Sequence, residues 1–192
     1  MNVFRPVLDC FDLRFYTRFA LLFLGLYGLY TFIIGATTPS GTYYPCIDRY
    51  FNFPEWIRTS VLYGGHQILS FLEIESFVTS DSLVNGEVSR QVRMGWPCYG
   101  LMNKSFWLAY VIAHAHPLKN KIFWSLAGIG TIWLINCCRI AVLYIALTHN
   151  WSIGPKLNTN NHELFNYVSY VFLLLLLLLH HRKSSSRYNG CA

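Results

Sequence analysis

Arg139 constrains this chain more than any other residue, because of where it stands. The segment Ile122–Leu147 is polar only at Ser125, Thr131, Asn136 and Arg139, so a side chain that stays charged lies in a stretch that otherwise dissolves in lipid. Three further runs are apolar. Phe19–Ile34 is broken only by Gly25, Gly28 and Thr31, Tyr167–Leu179 is almost wholly Phe, Leu and Val, and Leu101–Ala115 is weakened by Asn103, Lys104 and His114. The whole chain is 54% hydrophobic and only 12% charged, richer in apolar and poorer in charged residues than a typical soluble domain. A membrane helix needs about 20 apolar residues. The pattern therefore predicts an all-α membrane protein in one domain, with four spans at 17–37, 98–116, 121–148 and 162–181 and an outer cap over 38–97.

Charge sets the expected orientation. The formal charge is +6, but the basic residues flank the spans and do not form a nucleic-acid-binding face. Arg5, Arg14 and Arg18 open the first span, Lys119 and Lys121 sit between the second and third, and Arg182, Lys183 and Arg187 follow the fourth. Basic flanks mark the cytoplasmic side, and with four crossings these clusters fall on one side, placing both termini in the cytoplasm. A cleaved signal peptide is the competing reading of the first run, which is rather long for that role.

Two pieces of the cap have local signatures. Pro54 opens "PEWIRTSVLYGGHQILSFLE", whose Trp56, Ile57, Val61, Leu62, Ile68, Leu69 and Leu72 recur at helical spacing, weakened by Gly64 and Gly65; this predicts a helix in or dipping into the interface. Next, "FVTSDSLVNGEVSRQVRM" holds Asn85-Gly86 between strand-like residues, a hairpin signal. A two-residue turn there sets Leu83 against Val88, Asp81 against Arg90, Thr79 against Val92 and Phe77 against Met94. Of six cysteines, only Cys46 and Cys98 fall on the outer side and could bridge; Cys137 and Cys138 read as packing residues.

Three residues converge on the outer boundary. Pro97 suits a first helical turn and puts Cys98 at the start of the second span, where a helix N-terminus favours a thiolate. Counting from Ile122, the rise per residue carries Arg139 about 26 Å across the third span, into the outer leaflet. Asn136 is three residues earlier, on the same face. His162, in "NTNNHELFNYV", begins the fourth span after residues able to cap it. The set reads as nucleophile (Cys98), general acid and base (His162) and stabiliser of a carbonyl oxyanion (Arg139).

In these residues the chain resembles the exosortase/archaeosortase family of membrane cysteine transpeptidases, through "PCYG" (Cys98, Gly100), "NCCR" (Asn136, Arg139) and "NNHELF" (His162). It is similar to the short bacterial members, and carries Tyr99 where many have serine. The resemblance implies an enzyme of the bacterial cytoplasmic membrane with its active site on the outer face. The implied substrate is an exported protein ending in a short motif, a membrane helix and a basic tail. It would be cut through a thioester and passed to an acceptor amine, a lipid or water.

Two other classes stay open: a membrane thiol–quinone oxidoreductase using Cys46 and Cys98, against which the absence of Cys-x-x-Cys counts, and a non-catalytic scaffold for envelope assembly. No cofactor or metal site is expected. His114 and His116 point apart on a helix, His180 and His181 belong to a basic tail, and His66 and His149 are isolated.

Overall fold

The computed structural model describes residues 13–38, 43–85, 91–114, 117–149 and 161–188, with the backbone alone at 96–97, 161–165 and 180–188. Its elements are α1 (Leu13–Thr37), α2 (Pro45–Phe51), α3 (Phe53–Phe71), β1 (Phe77–Val78), β2 (Ser82–Val84), β3 (Gln91–Arg93), a 3-10 turn (Trp96–Tyr99), α4 (Leu101–Ala113), α5 (Leu118–Thr148) and α6 (Asn161–Tyr188). The fold is mostly helical with one small sheet. Two described helices, α1 and α5, are long and apolar enough to cross a membrane, and α6 contains a shorter apolar stretch, Asn166–Leu179.

Side-chain contacts give the helix directions. Phe15 meets Tyr110 and His114 edge-on, and Phe19 meets Phe106, so α1 and α4 are antiparallel. The Trp107 indole N–H donates to the Trp124 carbonyl (2.8 Å) while Gly100 faces Ile132 and Asn136, so α4 and α5 form an antiparallel hairpin. Arg139 bonds to Asn166, and Ile132 and Ile135 share a small void with Leu173 and Leu176 further along α6, which makes α5 and α6 antiparallel too. The four helices thus alternate in direction. α4 has 13 residues, about 20 Å of helix, and is shorter than the expected 98–116 segment. Gly100, in the left-handed region at φ 64, separates the 3-10 turn from α4, and the extended backbone of His114 ends it ahead of Pro117.

α3 lies along α5 in the same direction, since Trp133 donates to Ser60 and positions 64 and 65 oppose Cys137 and Ile140. A Cβ on Gly64 would come within 2.5 Å of the Cys137 sulfur. The glycine pair that weakens this helix in isolation is what lets the two backbones approach. The Phe53 ring, at the start of α3, packs against Tyr30 of α1, so the cap dips well below the end of α1. Gly128 does the same service on the other side of α5: a Cβ there would overlap the Trp107 indole.

The strands form a three-stranded antiparallel meander, not a lone hairpin. β1 pairs with β2 through Phe77–Val84 and Val78–Leu83, and β2 pairs with β3 through Ser82–Arg93, Leu83–Val92 and Val84–Gln91. The expected pairing around an Asn85-Gly86 turn is therefore wrong by four positions. A shift by an even number leaves every side chain on the same face, so alternation could not choose between the registers. Burial chose: Leu83 is fully enclosed and Met94 nearly so, both in the core under α3. Asp81 finds an arginine in this register as well, but it is Arg93 (3.1 Å). Gly86 lies outside the described residues.

Candidate functional site

Four helices contribute side chains to a common space. Tyr27, Thr31 and Ile34 share a face of α1 by their spacing, Asn136 and Arg139 a face of α5, and Asn166, Ser169 and Tyr170 a face of α6. With Gly100, Leu101, Met102 and Asn103 they enclose a cavity of about 450 Å³. Its floor is buried: Arg139 is 3% exposed, Asn136 4% and Ser169 8%. Its mouth is formed by exposed Tyr27, Met102 and Tyr170.

The floor is rich in donors. Arg139 Nη1 donates to Asn166 Oδ1 at 3.1 Å. Arg139 Nε and Nη2 and Asn136 Nδ2 are buried with no hydrogen-bond partner among the described residues. Buried donors without a partner are destabilising by about 1–3 kcal/mol each, so an oxygen atom beyond the described side chains would be favoured beside them. Among the described residues that line the cavity none is a carboxylate. Gly100 completes the wall next to Asn136: a Cβ at that position would stand 2.6 Å from Asn136 Nδ2, and its positive φ excludes most other residues.

Cys98 sits two residues from Gly100, in the 3-10 turn and not in the first turn of α4. The argument that a long helix's N-terminus activates its thiol therefore does not apply. Its side chain is 6% exposed, in the packed layer that includes Ile140 and Ala141, beside the cavity and not in its wall. The turn is pinned at several points. The Cys98 N–H donates to the Gly95 carbonyl (3.0 Å), Lys104 Nζ donates to the Tyr99 carbonyl (3.0 Å), and the Arg58 guanidinium reaches the Tyr99 hydroxyl. Arg58 is itself ion-paired with Glu55, whose hydrogen bond pushes the guanidinium pKa up. Cys46 and Cys98 are both free thiols, Cys46 exposed on α2, so the possible outer bridge is not formed.

The structure thus brings Gly100, Asn136 and Arg139 together and puts Cys98 in the adjoining layer. The backbone of position 162 lies in the first turn of α6, four residues before Asn166; the His162 side chain lies outside the described residues. Sequence reasoning missed Asn166, Ser169 and Lys104. The first two were visible as polar interruptions at four and seven residues after His162 on an apolar helix, and Lys104 as a charge within a span, buried here at 6% exposure. Of the other histidines, His66 is within hydrogen-bonding distance of Ser76 Oγ (2.9 Å) and His114 of the Tyr110 carbonyl (2.9 Å). Among the described residues no three His, Cys, Asp or Glu side chains gather as a metal site.

No family model, curated protein or solved structure matches the chain.

Proposed function

We propose that the chain is a multi-pass membrane cysteine peptidase or transpeptidase that cleaves the C-terminal sorting tail of exported proteins. The observation that carries this reading is the buried Arg139 guanidinium, with two nitrogens unpartnered among the described residues, in the lining of a cavity one short turn away from a free thiol. Alternating helix directions are compatible with four crossings, with α4 sheltered between α1 and α5 where its own length falls short. In that topology both termini are cytoplasmic and the cavity lies toward the outer leaflet, level with a scissile bond just outside a substrate's membrane helix.

The chemistry follows from the side chains. His162 takes the Cys98 proton, and the thiolate adds to the scissile carbonyl carbon, pushing its electron pair onto oxygen. Arg139 and Asn136 donate hydrogen bonds to that oxyanion, whose stabilisation is worth most where water is excluded. Collapse breaks the C–N bond, the leaving amine takes the proton from His162, and a thioester remains. An acceptor amine or water then attacks the thioester, giving its proton to His162 and releasing the thiolate. The step requires the 3-10 turn, held by the bonds at Gly95 and Tyr99, to bring the Cys98 sulfur from its packed layer into the cavity.

The test is co-expression with a secreted protein carrying a motif, an apolar helix and a basic tail. The Cys98→Ala and Arg139→Lys variants are expected to leave the tail uncut while remaining in the membrane fraction. Unimpaired cutting by Cys98→Ala would refute the reading.

A further inference from the structure

The cavity has a side entrance. Its walls come from both α1 and α6, yet these two helices share no extended contact among the described residues: α1 packs on α4 and α2, and α6 on α5. The mouth residues Tyr27 and Tyr170 stand on opposite sides of this gap and are exposed. Both walls continue as apolar surface toward the N-terminal half of α1, through Leu24, and the C-terminal half of α6, through Leu174 and Leu178. A guest arriving from the lipid core therefore meets apolar side chains first and the buried polar residues Arg139 and Asn136 last.

That gradient selects the guest. A hydrocarbon chain offers nothing to the polar lining residues Asn103, Asn136, Arg139, Asn166 and Ser169, whereas an extended peptide has a carbonyl oxygen at every residue. A volume of about 450 Å³ lies in the range of small-ligand sites; it accommodates a short peptide segment and is too small for a helix with its side chains. We infer that the gap between α1 and α6 is the lateral entry slot of the enzyme. It takes the short extended stretch that joins a substrate's sorting motif to its membrane helix, and Thr31 and Tyr170 contact that stretch. The inference rests on the proposed peptidase reading but concerns binding, which is measurable without chemistry.

The experiment places a photo-crosslinking amino acid, p-benzoylphenylalanine, at Tyr170 in a Cys98→Ala background, with Phe172 as the control. Phe172 is also an exposed aromatic of α6, but two residues on it faces away from position 170. An adduct with the tail-bearing protein from position 170 and none from 172 supports the slot; an adduct from 172 alone overturns it. In parallel, Thr31→Trp in the otherwise native enzyme is expected to raise KM about tenfold, while Leu29→Trp, on another face of α1, leaves it unchanged. An equal KM in native and Thr31→Trp enzymes overturns the slot. Crosslinking at 170 without any Cys98-dependent cutting by the native enzyme would refute the peptidase reading and keep the slot; Cys98-dependent cutting with adducts only from 172 would do the reverse.

Discussion

Arg139 Nη1 donates to Asn166 Oδ1 at 3.1 Å, joining α5 to α6 at the floor of the cavity. Asn166 is the one described side chain bonded to this guanidinium, and Nε and Nη2 have no partner among the described residues. An amide in this place orients the charge without neutralising it, as a carboxylate would.

Asn166→Ala should therefore disorder the guanidinium and loosen the α5–α6 contact. A hydrogen bond to a charged group is worth about 1.5–3 kcal/mol in soluble proteins and less in bilayers, so the expected loss is about 1–2 kcal/mol, read from unfolding in mixed micelles. Tail cutting should fall at least about tenfold through kcat. Asn166→Asp should keep the helices together but hold the guanidinium in an ion pair, lowering kcat with little change in stability.

Glycines on one helix give a sharper test of packing. Gly128→Ala should expel the Trp107 indole and break its bond to the Trp124 carbonyl, a loss of about 2–4 kcal/mol typical of overpacked cores with a broken buried bond. Gly130 has nothing near its Cβ position, so Gly130→Ala should leave stability unchanged or raise it by a few tenths of a kcal/mol. Equal effects would contradict the described α4–α5 contact.

Gly100→Ala combines two penalties: a positive φ, about 1 kcal/mol for an L-residue, and a close approach to Asn136 Nδ2. Its expected signature is a larger fall in cutting than in thermal stability, because the displaced group lies in the cavity wall.

Lys104 holds the carbonyl that ends the Cys98 turn. In a variant whose sole cysteine is Cys98, Lys104→Met should free that carbonyl and increase the rate of Cys98 alkylation by N-ethylmaleimide several-fold. Lys104→Arg, which can still donate, should restore slow alkylation. Equal rates in all three proteins would mean that Lys104 does not position the turn.

Apolar runs, basic flanks and the place of Arg139 within its run were all legible along the chain, because lipid solubility and charge are properties of short windows. They were enough to anticipate a mostly helical membrane-type chain with long helices at α1 and α5. The helical spacing of α3 was equally readable. Tertiary structure decided what no window contains. A four-residue shift of the strand register is invisible to alternation, and only burial of Leu83 and Met94 resolved it. Gly64, Gly65 and Gly128 look like helix defects until Cys137, Ile140 and Trp107 are seen pressed against them. The separation of Cys98 from α4 turned on the backbone angle of one glycine. Asn166 became the partner of Arg139 only when α6 lay antiparallel to α5. Local composition determines which segments leave water; contact between distant segments determines which polar groups are left facing one another once they have.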